Sequence, residues 1–244
     1  MDFNYTIIIY IILGVIPSLI WLAYYLREDV HPEPKKMIVV VFLWGCVITI
    51  PTFFIQIGLT NLLNGVEINF TAKNLMYWFF VIAFTEEFLK YLVIRLKVIN
   101  SPHLDEPLDI MLYMVIAALG FAAVENVLYL FAPVGQFSLN AFISRTLIIT
   151  LIRFVGATFL HTLCSAVIGY AVAISLCDQK NRLLEASFGI FMAVVLHGLY
   201  DFSIMTLGGY LKFAIPALII LTLAFFVFSS FEKLKKIKGV CKLN

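Results

Sequence analysis

Long apolar stretches separated by short polar ones set the pattern of this chain. Seven mostly apolar runs fall at roughly 5–26, 37–60, 74–96, 108–131, 149–176, 185–207 and 212–231. A helix needs about 20 such residues to cross the hydrocarbon core of a bilayer. The pattern therefore predicts an all-α fold: a polytopic transmembrane helix bundle of about seven spans. No connecting stretch is long enough to hold a soluble domain. The longest, roughly 132–148, has room for a short amphipathic helix around Phe142 to Leu147. No internal repeat is visible, so 1–244 reads as one integral membrane domain that ends in a basic tail over 232–244.

Composition agrees with the pattern. The chain is 62% hydrophobic and 13% charged, where a soluble domain is about 25% charged. Such a chain needs lipid as its solvent. A net charge of +2, with no basic stretch interleaved with aromatics outside the tail, argues against a nucleic-acid partner. Cys46, Cys164, Cys177 and Cys241 show no metal-ligand spacing and read as small hydrophobes. The first apolar run is preceded by Asp2 and followed by Arg27-Glu28-Asp29. It reads as a retained span, not a cleaved signal.

Basic residues then orient the bundle. One set of loops and ends holds twelve of them: Arg27, Lys35, Lys36, Arg95, Lys97, Lys180, Arg182 and the five lysines of the tail. The opposite set holds only Lys73 and Lys212. The N-terminus is expected outside and the C-terminus in the cytoplasm, with the tail anchored against anionic lipid.

Charges that fall inside the spans carry the chemistry. An ionisable side chain at the centre of a membrane helix costs about 2.5–3.5 kcal/mol on insertion scales and is usually functional. The third run carries Glu86, Glu87 and Lys90, the fourth Glu125 and Asn126, the fifth Arg153 and His161, and the sixth His197 and Asp201. All lie at similar depth, which favours one shared site. Glu86 and Lys90 are four apart, as are His197 and Asp201, so each pair shares a helix face. Ala117, Ala118, Gly120, Ala122 and Ala123 make the fourth helix slim enough for the bundle centre. Interhelical salt bridges alone would be the bland account. Lys90 and Arg153, however, can neutralise at most two of the four acids, and adjacent carboxylates resist joint ionisation. Carboxylates with imidazoles in a hydrated cavity suit general acid–base or metal-assisted hydrolysis. They also suit the proton relay of a transporter. A catalytically silent membrane scaffold is the third reading.

Four short motifs add a resemblance. Glu86-Glu87-Phe88-Leu89-Lys90 resembles the E-E-x-x-K motif of the PrsW family. Phe121 to Asn126 resembles its F-x-x-x-E-N motif. Arg153 with His161 resembles its third element, and His197-Gly198-Leu199-Tyr200-Asp201 its H-G-x-Y-D motif. Asp29 with Glu33-Pro34, and Asp109, also match family positions. The resemblance runs from about Leu22 to Phe202. It implies an intramembrane peptidase related to the type II CAAX prenyl endopeptidases, cutting a single-span membrane protein, in particular an anti-sigma factor whose loss releases a stress-response sigma factor. It also implies one divalent metal, with zinc the first choice. On this reading Glu86 or Glu87 is the general base, and His161 holds the attacking water directly or through the metal. His197 and Asp201 bind metal or stabilise the oxyanion. Lys90 tunes the glutamate pair, Glu125 is a supporting acid or ligand, and Asn126 and Arg153 support the site. The metal set would come from His161, His197, Glu125 and Asp201. The chain lacks H-E-x-x-H, so spacing alone does not supply a metal.

Overall fold

The computed structural model describes residues 3–29, 31–131, 139–177 and 181–237. Among these residues there are helices and connecting turns and no strand. In chain order the helices are α1 (Phe3–Tyr25), α2 (Lys35–Asn64), α3 (Phe70–Met76), α4 (Thr85–Lys97), α5 (Pro107–Phe131), α6 (Leu139–Arg153), α7 (Phe159–Cys177), α8 (Arg182–Thr206) and α9 (Leu211–Leu234). Two π-helical segments, Tyr77–Phe84 and Phe154–Thr158, join α3 to α4 and α6 to α7 without a break. The stretch over 132–148, expected to hold a short helix around Phe142 to Leu147, is helical from Leu139 onward and runs on into Arg153. Lys180, Lys238, Cys241 and Lys242 lie outside the described residues, as does most of the tail.

Six helices are long and apolar enough to cross a membrane: Thr6–Tyr25, Lys35–Asn64, Pro107–Phe131, Ser144–Leu176, Arg182–Thr206 and Leu211–Leu234. The run expected over 74–96 lies within one helical path from Phe70 to Lys97. It falls short of the others in apolarity because it holds Glu86, Glu87 and Lys90 as well as Arg95 and Lys97.

Packing puts α5 in the middle. Its residues from Pro107 to Ala123 are all buried, and α1, α2, α4 and α7 surround it. Small residues make this possible. A Cβ on Gly120 would fall on the Phe42 carbonyl oxygen of α2, and one on Gly45 would fall on the Ala117 carbonyl oxygen of α5. The two backbones therefore touch at their crossing. On the outside of the bundle large apolar side chains such as Phe54, Leu151, Phe213 and Phe225 stand exposed, as a surface in contact with lipid requires. The protein is a multi-pass protein of the cell membrane.

The basic ends gather on one face. Lys235 Nζ pairs with Glu28 at 2.7 Å, which brings the end of α9 to the α1–α2 loop. His31 pairs with Glu106 at 2.9 Å, which brings that loop to the α4–α5 turn.

Candidate active site

The π-helical segments sit one turn before the chemistry. Tyr77–Phe84 runs straight into Thr85, Glu86 and Glu87, and Phe154–Thr158 separates Arg153 from His161. A spacing of eight residues lands about 80° off face in an uninterrupted α-helix. The slower turn of a π segment closes that gap, and such segments are frequent at functional sites. Arg153 and His161 consequently reach the same carboxylate. Arg153 pairs with Glu125 Oε2 at 2.7 Å, and His161 Nε2 lies 2.8 Å from the same oxygen.

The nine residues singled out on the sequence form one connected network. Glu87 is fully buried. Its Oε1 accepts from Lys90 Nζ at 2.8 Å and from His197 Nδ1 at 2.8 Å, and its Oε2 accepts from the Ser165 hydroxyl at 3.2 Å. Lys90 also lies 2.8 Å from His161 Nδ1 and packs over the Phe121 ring. Arg153 Nε donates to Asn126 Oδ1 at 2.6 Å, and Asn126 in turn donates to Thr158 and to the Gly14 carbonyl. Asp201 Oδ2 stands 3.3 Å from His197 Nε2.

Donor and acceptor rules fix the tautomer of His161 and place one proton of His197. An ammonium only donates, so His161 Nδ1 accepts from Lys90 and its Nε2 carries the proton given to Glu125. An ionised carboxylate only accepts, so His197 Nδ1 carries the proton given to Glu87. His197 Nε2 faces Asp201 Oδ2 at 3.3 Å and Glu86 Oε2 at 4.0 Å. A carboxylate behind an imidazole in this way is the usual support of a metal-binding histidine.

Glu86 is held differently from Glu87. Its Oε1 accepts from Gln56 Nε2 at 3.1 Å. Its Oε2 is buried without a hydrogen-bond partner. That oxygen lies 3.6 Å from Lys90 Nζ, 3.9 Å from His161 Nδ1 and 4.0 Å from His197 Nε2. A cavity of about 410 Å³ opens here, lined by Glu86, Glu125, Arg153, His161, His197 and Asp201 among others. Glu87 is walled off from it.

Glu86, His161 and His197 present ligand atoms within 4.8 Å of one another and form a buried group that could hold a metal ion. A buried carboxylate oxygen without a donor, facing two imidazoles, fits a cation. Tetrahedral zinc with bonds of about 2.0–2.1 Å has ligand edges of roughly 3.3 Å, so the two edges from Glu86, 3.9 and 4.0 Å, must contract by roughly half an ångström. Lys90 now holds the His161 Nδ1 lone pair, and a metal there takes that place.

Asp29, Glu33 and Asp109 stand elsewhere. Asp29 accepts from the backbone N–H of His31 and Glu33, and Asp109 from those of Asp105 and Glu106. Tyr113 donates to Glu33. Burial holds the Asp29 and Glu33 carboxyls above their ordinary range. Asp109 is sixteen residues before Glu125 on α5, about 24 Å along the axis. These acids knit the two loops at the basic face. Gln56 was not singled out on the sequence, although a lone carboxamide inside an apolar run was a signal that could have found it.

A sequence model described as PrsW family intramembrane metalloprotease matches residues 33–230. Protease PrsW of Shouchella clausii is 29% identical over 215 residues, covering 87% of this chain and 92% of the relative. Protease PrsW of Bacillus subtilis is 27% identical, covering 85% and 88%, and that of Clostridioides difficile is 30% identical, covering 80% and 78%. No solved structure matches the chain. A single family model spanning α2 to α9 and thus every helix that lines the cavity leads to one conclusion: the chain belongs to the PrsW family and is an intramembrane peptidase.

Proposed function

We propose that this peptidase cuts a single-span membrane regulator of the anti-sigma factor class, using one zinc ion held by Glu86, His161 and His197. The observation that carries the reading is Oε2 of Glu86, buried without a hydrogen bond between two imidazoles on a residue that lines the cavity. The family resemblance supports the substrate class. Zinc suits a carboxylate and two neutral imidazoles that leave one position open.

When bound, the metal supplies Lewis acidity to the scissile carbonyl and eases loss of a proton from water. The chain's own groups do the rest. Asp201 lines the cavity and forms no ion pair with a lysine or arginine among the described residues; it accepts the proton of the attacking water and passes it to the leaving amine as the C–N bond breaks. Glu87 holds the proton on His197 Nδ1, which leaves Nε2, beside Asp201, as the nitrogen for the metal. Glu125, clamped by Arg153, holds the proton on His161 Nε2. Arg153 also places a guanidinium on the cavity wall, where it stabilises negative charge growing on the substrate carbonyl. Of the two glutamates read as possible bases, Glu86 alone reaches the cavity, and we assign it to the metal. Glu125 is bound from both sides, so we place it outside the metal set.

Purified protein should carry close to one zinc per chain and cleave a reconstituted single-span anti-sigma factor. His161→Ala and His197→Ala should each lose the zinc and at least about a hundredfold of the activity. Full activity in metal-free wild type, indifferent to strong chelators, would remove the metal and leave a glutamate–histidine mechanism.

A further inference from the structure

Gln56 lies on α2, which contributes no acid and no imidazole to the site. It sits within a run from Lys35 to Asn64 that is otherwise apolar or hydroxyl-bearing apart from Asn61 and the two ends. Thr49, Thr52 and Gln56 follow at helical spacing and all line the cavity. The two threonines spend their protons on their own helix, Thr49 on the Gly45 carbonyl and Thr52 on that of Ile48. Gln56 reaches across. Its Nε2 lies 3.1 Å from Glu86 Oε1 and 3.3 Å from Thr85 Oγ1.

Both partners are acceptors toward it. Thr85 gives its only hydroxyl proton to the backbone of the π-helical segment, with Val81 O at 2.6 Å, so its oxygen can only accept here. Glu86 accepts as a carboxylate. Two acceptors on one side require the NH₂ end of the carboxamide there, which settles the orientation of the amide. Gln56 is thereby tied at once to the end of the π-helical segment and to one oxygen of Glu86. The other oxygen, Oε2, makes no hydrogen bond and faces His161, His197 and, at 3.6 Å, Lys90 Nζ.

We propose that Gln56 is the positioning residue of Glu86: it holds Oε1 so that Oε2 alone is presented to the cation. This rests on the reading of Glu86 as a metal ligand. Hydrogen-bond partners of metal ligands usually matter about 10–100-fold for affinity or activity.

The test uses the full-length protein in nanodiscs. Gln56→Met keeps the shape and removes both polar atoms, Gln56→Leu removes them with a second apolar side chain, and Glu86→Gln serves as reference. Zinc affinity is measured by competition with a chromophoric chelator, beside kcat, KM and Tm. Both Gln56 variants should bind zinc about 10–100-fold more weakly and lose a similar factor in kcat, with KM and Tm nearly unchanged. Wild-type zinc affinity in Gln56→Met, with zinc lost in Glu86→Gln, would overturn the role of Gln56 and leave the metal reading standing. A fall in Tm that accounts for the lost activity would overturn it as well, by making Gln56 merely structural. Wild-type zinc affinity in Glu86→Gln would overturn the metal reading and the inference together.

Discussion

Lys90 has no exposed surface and serves three electron-rich groups at once: Glu87, Glu86 and His161. Removing one partner of a buried ion pair typically costs about 3–5 kcal/mol, because the other charge stays buried and uncompensated. Lys90→Met should therefore lower Tm sharply, and adding Glu87→Gln should restore part of the loss. A double variant no more stable than Lys90→Met would show that Glu87 is not the charge that Lys90 compensates. Outside the spans, Glu33 gives a pH test. Its carboxyl is raised by burial, so ionising it costs more in the folded protein than in the unfolded one. Glu33→Gln should gain stability over wild type as pH rises from about 4 to about 8, and the gain should vanish below about 4, where both carboxyls are protonated. A difference in Tm that does not change with pH would contradict this. The acids and imidazoles themselves were legible in the sequence, because a charge inside an apolar run is costly wherever it points. Gln56 was not singled out, since an uncharged amide costs less and its meaning depends on which helix it faces.

At the scale of elements, the spacing of the motifs and their geometry are joined by the two π-helical segments. Helical periodicity of 3.6 residues tied Glu86 to Lys90 and His197 to Asp201 correctly. It could not place Arg153 and His161 on one carboxylate, because Phe154–Thr158 turns more slowly than an α-helix and no residue there announces it. The slim α5 was legible as the bundle centre. Its partner was not, since Gly45 and Gly120 could have faced any helix. They meet at the α2–α5 crossing, and both helices line the cavity, through Gln56 and Glu125. Gly120→Val pushes this crossing apart and should lower both Tm and activity, with intramembrane cleavage falling at least about tenfold; a wild-type Tm would show that the backbones are not in contact.

For the whole molecule, the cavity lies toward one end of the bundle. It is lined by Gln56, Tyr129 and Met205, toward the ends of α2, α5 and α8 away from the basic face, and by Tyr77 and Trp78 at the start of the first π-helical segment. With the twelve-to-two bias of basic residues, the cavity is expected to open toward the extracytoplasmic side, and the substrate to be cut in the outer part of its span or just beyond it. A cysteine placed at Lys212 should react with a membrane-impermeant thiol reagent added to intact cells, and one placed at Lys236 should not; the reverse would invert the topology. Hydropathy predicts about seven spans, and among the described residues six helices are long and apolar enough to cross a membrane. The apolarity of the 70–97 path was lowered by the very residues that do the chemistry, so that path is the least span-like of the bundle.

The central claim is that Glu86 and its two imidazoles hydrolyse a peptide bond inside the membrane. Its most direct test is to co-reconstitute wild type or Glu86→Gln with a single-span anti-sigma factor in liposomes and to read the new termini by mass spectrometry. Wild type should give one pair of termini at the outer end of the substrate's span, and Glu86→Gln, folded and inserted, should give none. The same termini from Glu86→Gln at the wild-type rate would contradict the account.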